Sequence, residues 1–320
     1  MRRIVWEKQG LIIRPKDGPA WRRHMSGAVH VLPWGEDRYR VYLTGVGDDF
    51  PTALGEPGRR QIGWLELDRD FRIVHENPAN PVLTAGDPCM FDCEGVVMPI
   101  IVRLSDTVLY MYYAGFGPGT GSWLDNHMGL AISHDNGDTW ARHSRAHLPV
   151  QDDRDPASMG TLWPIREADD DWRIWYTAFC GASYEPEASW RWSLRTEIRY
   201  ATSRDGIHWD KPTDNTVLPL DRAAGEDLLT RPMIIREADG YRMWFCVRRV
   251  DQPYYIGYAE STDGQHWERK PAGIRTSPTG WDSELICYAF VLKEADRYLM
   301  FYNGNGYGAT GTGLAIGRLA

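Results

Sequence analysis

Carboxylates recur at one position in this chain. Three turns of similar sequence, Arg166-Glu167-Ala168-Asp169, Arg236-Glu237-Ala238-Asp239 and Lys293-Glu294-Ala295-Asp296, align its segments. That alignment brings Glu94, Asp227 and Glu284 into register, with Asp92, Asp155 and Asp282 in register two residues earlier. Carboxylates drawn from separate segments into one pocket raise each other's pKa, leaving one as acid and another as base near neutrality. Paired carboxylates are the groups that cleave glycosidic bonds. Asp92, Glu94, Asp227 and Glu284 are therefore the candidate catalytic residues, and Asp155 and Asp282 candidate substrate ligands. The competing role for each acid is to cap loop amides where the chain turns into a strand. Basic and aromatic groups accompany them. Arg231 precedes Pro232 at a position that points inward, His24 and His30 flank the matching stretch of the first segment, and Trp163 matches it in the third. These four are candidate substrate contacts, and Arg248 and Arg249 follow nearby.

The elements that position these residues are written in a repeat. SHDNGDTW at Ser133, SRDGIHW at Ser203 and STDGQHW at Ser261 each follow an alternating, strand-like run. A degenerate copy follows IGWLEL at Asp68, with Phe71 in place of tryptophan, and Trp6 carries the tail of a further copy. The markers Trp6, Phe71, Trp140, Trp209 and Trp267 are spaced by about 58 to 69 residues once the chain ends are joined. Such a period signals a repeat architecture. Each unit reads as four strands, rich in β-branched and aromatic residues and separated by Asp-Gly turns. The expectation is an all-β, single five-bladed β-propeller over residues 1–320, four antiparallel strands per blade, with the N-terminal strand completing the last blade. The Asp, Gly and Trp of the motif then serve turns and packing. Long segments such as Gly45 to Arg60, Gly115 to His127, Cys180 to Arg195 and Asn303 to Thr312 fall on one face, where loops on a rigid scaffold carry function.

Bulk properties exclude other classes. The net charge is −8, which disfavours nucleic acid as a partner. No apolar stretch has the length of a membrane helix, and MRRIVWEKQG lacks the apolar core of a signal peptide. Cys89, Cys93, Cys180, Cys246 and Cys287 show no zinc-type pairing and read as thiols in a reducing, cytoplasmic setting. No P-loop, G-x-S-x-G elbow, HExxH or dinucleotide fingerprint is present, so neither cofactor nor metal is expected. Of the 15 tryptophans and 16 tyrosines some serve blade packing, and a surplus near a pocket would suit the apolar faces of sugar rings.

The succession of an acidic lead-in, an apolar strand, an aromatic strand such as LYMYYAG and then GLAISHDNGDTW resembles the five-bladed propeller glycosidases of the arabinanase and xylosidase type. It is also similar to their relatives of the invertase and mannoside-phosphorylase types. The resemblance implies a ring whose catalytic carboxylates come from its first blades. Here the first lead-in, Arg22-Arg23-His24-Met25-Ser26, has no acid, so that carboxylate is absent or supplied by Asp48 or Asp49. The resemblance implies a small-molecule or oligosaccharide substrate and a glycosidase-like enzyme. The alternatives are a glycoside phosphorylase or transfer enzyme, with Arg231, Arg248 and Arg249 holding phosphate, and a non-catalytic carbohydrate-binding propeller. The width of such a channel favours inversion if bonds are hydrolysed.

Overall fold

The computed structural model describes residues 1–48, 60–117, 126–148, 161–184, 192–249 and 252–320. The chain is all-β, in several mostly antiparallel sheets. A first strand, β1 (Ile4–Ile13), precedes the rest. Then come β2 (Met25–Trp34), β3 (Arg38–Val46), β4 (Gln61–Asp68) and β5 (Ile73–Glu76) as one sheet. A second sheet holds β6 (Gly95–Arg103), β7 (Leu109–Phe116), β8 (Asn126–Ser133) and β9 (Ala141–Arg142). Next are β10 (Leu162–Ala168), β11 (Asp171–Tyr184), β12 (Trp192–Ser203) and β13 (Thr216–Leu218). They are followed by β14 (Glu226–Glu237), β15 (Gly240–Arg249), β16 (Gln252–Ser261) and β17 (Glu268–Lys270). A parallel contact between Thr196 and Leu228 joins these last two groups into one eight-stranded sheet. The Thr196 hydroxyl reinforces it by donating to the Leu229 carbonyl at 2.6 Å. Finally β18 (Cys287–Lys293), β19 (Tyr298–Asn303) and β20 (Thr312–Leu319) pair in order, and β1 adds to β20 as the outer strand.

Burial falls from the inner strands to the outer ones. The second strands are enclosed along most of their length, as in β3, β7 and β15, because each sheet is covered on both faces by its neighbours. The fourth strands β5 and β17 are largely exposed. The repeated turns are built alike. Ser133, Ser203 and Ser261 accept amide hydrogens with Oγ, and Asp135, Asp205 and Asp263 accept amides further on with Oδ1. The motif also latches groups together: Tyr112 donates to the Gly206 carbonyl at 2.8 Å and Trp175 to that of Gly264 at 2.6 Å.

A second repeat, invisible in residue types, lies on the first strands. Ala28, Met98, Arg231 and Tyr288 all have left-handed φ, at 49°, 59°, 51° and 54°. Each marks a register shift against the second strand, a β-bulge at the same place in four groups. In every case the bulge amide donates to a side chain on the second strand of the preceding group. Ala28 donates to Asn303 Oδ1 (3.1 Å), Met98 to Thr44 Oγ1 (2.9 Å), Arg231 to Thr177 Oγ1 (3.2 Å) and Tyr288 to Cys246 Sγ (3.1 Å). The Asn303 seam is so close that a Cβ on Gly27 would lie 2.0 Å from Nδ2.

Two tests follow. Removing residues 1–13 strips β1 from β20 and takes out the buried Ile4 and Ile13. Burying two such side chains stabilises by roughly 3–6 kcal/mol, so chemical denaturation of the truncated chain should show a loss at least that large, or no folded protein. Thr44→Val keeps the shape and removes the acceptor of the Met98 amide. Leaving that amide unpaired should cost about 1–3 kcal/mol in the same measurement.

Candidate active site

Each described lead-in to a first strand carries two kinds of polar residue. The first kind is buried and reaches across its sheet to the outermost strand. Asp92 is fully enclosed and pairs with Arg142 of β9 at 2.7 Å, while Tyr113 donates to it at 2.8 Å. Its other oxygen, Oδ1, is enclosed with no partner among the described residues. Asp282 pairs with Lys8 of β1 at 2.6 Å and accepts from Tyr302 at 3.0 Å. Glu226 pairs with Arg269 of β17 at 2.8 Å. In the first group the polarity is inverted: buried Arg22 meets Glu76 of β5 at 2.8 Å. Asp155, the counterpart in the third group, lies outside the described residues, as does Asp49.

The second kind stands four residues ahead of the left-handed bulge residue: His24, Glu94, Asp227 and Glu284. The side chains of Glu94 and Glu284 are exposed. Their backbones are held by hydrogen bonds, the Glu94 amide donating to the Phe116 carbonyl at 3.0 Å and the Glu284 amide to Asn305 Oδ1 at 2.9 Å. Asp227 is buried and gripped by Arg248 through two nitrogens, Nε to Oδ1 at 3.1 Å and Nη2 to Oδ2 at 2.8 Å. His24 is exposed, with Nε2 3.0 Å from Asp48, which also takes Arg23 at 2.7 Å. An acid therefore does reach the first group's position, from the loop after β3.

At bulge level Arg231 crosses between groups. Its Nη2 donates to the Val29 carbonyl at 3.0 Å and its guanidinium carbon lies 5.5 Å from the Tyr288 ring centre. Two residues beyond the bulge, aromatic rings close the centre. His30 stacks on Trp163 at 5.6 Å and meets Phe290 edge-on at 4.7 Å, and Trp163 lies 5.9 Å from Phe290. Trp163 and His30, read from the sequence as substrate contacts, thus form a buried floor. Burial, and then the neighbouring Arg231, hold the His30 pKa down to about 3, so this ring is neutral. Residue types alone missed a cluster of tyrosines near Asp227 and Arg248. Tyr254 lies 5.3 Å from Tyr307 and 6.3 Å from Tyr288, and Tyr254 and Tyr307 are electrostatic neighbours of Arg248. The only sequence cue was Tyr307 within the Gly-rich stretch GNGYG.

Two proteins of Mycobacterium tuberculosis share this chain's sequence along its length. Uncharacterized protein MT1551 (strain CDC 1551 / Oshkosh) and Uncharacterized protein Rv1502 (strain ATCC 25618 / H37Rv) are each 34% identical over 322 residues, 98% of this chain and 99% of theirs. The chain belongs to their family. No family model matches it. Among solved structures, one described as a glycoside hydrolase superposes with a TM-score of 0.71 at 18% identity, covering 97% of this chain and 90% of that one. The β-1,2-mannobiose phosphorylase of Listeria innocua, solved with β-1,2-mannobiose, gives 0.71 at 11% identity over 98% and 96%. A thermostable family-43 glycoside hydrolase gives 0.60 at 14% over 92% and 89%. The fold is that of the glycoside-hydrolase-like β-propellers.

The floor makes a pH test. His30 stays neutral when folded but protonates near 6.5 when unfolded, so its contribution is intact above that pH and is lost as pH falls toward 3. Between pH 7 and 5 this should remove about 2 kcal/mol of stability. Urea unfolding of His30→Leu should lack that part of the slope.

Proposed function

We propose that the strand groups are the five blades of one closed propeller domain spanning residues 1–320. Its loop-bearing mouth is the active site of an enzyme acting on a glycoside or sugar conjugate by carboxylate acid/base chemistry. The observation that carries this reading is positional. Glu94, Asp227 and Glu284 stand at the same step of equivalently built strands, and the fold is one shared with glycoside hydrolases. Asp227, oriented by Arg248, is the acceptor. Glu94 or Glu284, exposed at the mouth, is the proton donor. Tyr307, exposed beside Tyr254, offers a ring face to a sugar. Asp92 and Asp282, spent on ion pairs to outer strands, hold the lead-ins in place. The chemistry needs no redox cofactor. The free thiols suit a reducing, cytoplasmic compartment.

Likeness to a phosphorylase supports a second reading, transfer of the glycosyl group to phosphate. Screening aryl-glycosides and oligosaccharides with and without phosphate separates the two, since only phosphorolysis depends on phosphate. Binding without turnover in both arms would leave a carbohydrate-binding propeller. The residue assignment is tested by amides. Glu94→Gln and Glu284→Gln should fold with stability unchanged, Asp227→Asn should fold with some loss because Arg248 is left without its buried partner, and at least one of the three should lose about a hundredfold or more in kcat. Asp92→Asn should instead lower stability by about 3 kcal/mol, because Arg142 is left without its buried partner. Full activity in all three amide variants would refute the assignment.

A further inference from the structure

Among the described residues, Arg231 is a buried cation without a counter-charge. Its side chain is 1% exposed, and Nε and Nη1 are enclosed with no acceptor. Its electrostatic neighbours are the thiols of Cys246 and Cys287 and the phenol of Tyr288, with no carboxylate among them. Asp227, the nearest acid along the strand, is taken by Arg248. His30 beneath is neutral. Burial pulls the guanidinium pKa down, yet arginine keeps its proton in proteins. Arg60, also buried, has the same Tyr288 as an electrostatic neighbour. A lone buried charge is unfavourable unless something pairs with it.

Depth defines what that partner is. The acids at the mouth precede Arg231 and its counterparts by four residues, at most about 13 Å of extended chain. The floor of His30, Trp163 and Phe290 lies just beyond. A phosphate attacking a glycosidic bond would sit level with the acids. A group meeting Arg231 would lie beneath them, next to those rings, and would belong to the sugar unit inserted deepest. We propose that this group is a carboxylate, so that the enzyme takes glycosides of acidic, uronic-type sugars, with Arg231 as the residue that selects them. This rests on the reading of the mouth as a glycoside-processing site. A single negative charge matches the guanidinium, whose Nε and Nη1 hydrogens await acceptors.

The test is titration calorimetry and thermal unfolding of the full chain with D-glucuronate, D-galacturonate, D-mannuronate and L-iduronate, their neutral parent sugars, and inorganic phosphate. At least one uronate should bind ten-fold or more tightly than its parent, and Arg231→Met should abolish that preference. Arg231→Met should also melt no lower than the parent chain, since it exchanges an unpaired charge for an apolar side chain of similar length. Equal binding of uronates and neutral parents overturns the proposal, as does Arg231-dependent binding of phosphate alone. A melting point several degrees lower in Arg231→Met makes the residue a structural one and overturns it too. Neutral glycosides cleaved without uronate preference would sink the acidic substrate and leave the enzyme standing. A uronate bound through Arg231, with no glycoside turned over, would sink the enzyme and leave the anion site.

Discussion

The hydrogen bond from each bulge amide to the preceding group organises the centre of this molecule. A left-handed non-glycine residue costs of order 1–3 kcal/mol, and four are maintained side by side. What offsets that cost is a buried amide whose loss of its acceptor would cost about as much again. The donor is backbone, so any residue except proline can make the bond. Alanine, methionine, arginine and tyrosine all do so here. The seam thus holds the groups together while leaving the side chains at that level free to differ, and those side chains line the centre.

The second lead-in separates a buried acid from an exposed one by a short turn. The Gly95 amide bonds back to the Asp92 carbonyl at 3.2 Å, which turns Asp92 into the sheet and leaves Glu94 outside. The buried member makes an ion pair with the outermost strand, and its sign is arbitrary, since Arg22 and Glu76 perform the same task reversed. An ion pair enclosed in this way gives specificity of docking more than net stability. Of the outer members, Glu94 and Glu284 are exposed, while Asp227 is buried against Arg248. Arg231 sits at the opposite extreme, a charge kept where packing would favour an apolar side chain, as functional groups often are.

Much of this was legible in the residues. The repeated Ser-Asp-Gly-Trp turns, the alternation of the strands and the register of the acids are local features, set by φ preferences, side-chain capping and the period of an extended chain. They placed β1 beside β20, and they placed Glu94, Asp227 and Glu284 at one step. They could not tell Asp92 from Glu94, because both are acids in one lead-in and only the partner across the sheet distinguishes them.

The sequence by itself determined the all-β class, the repeat, the return of the N-terminal strand and the step at which acids recur. Tertiary structure alone decided the bulges, since Ala28, Met98, Arg231 and Tyr288 share no side-chain chemistry and are alike only in what their amides meet. It decided that Trp163 and His30 form a floor, and that Arg231 is enclosed with no carboxylate among its described neighbours. Contacts between groups set these outcomes, and such contacts join residues far apart in the chain, where no local propensity reaches.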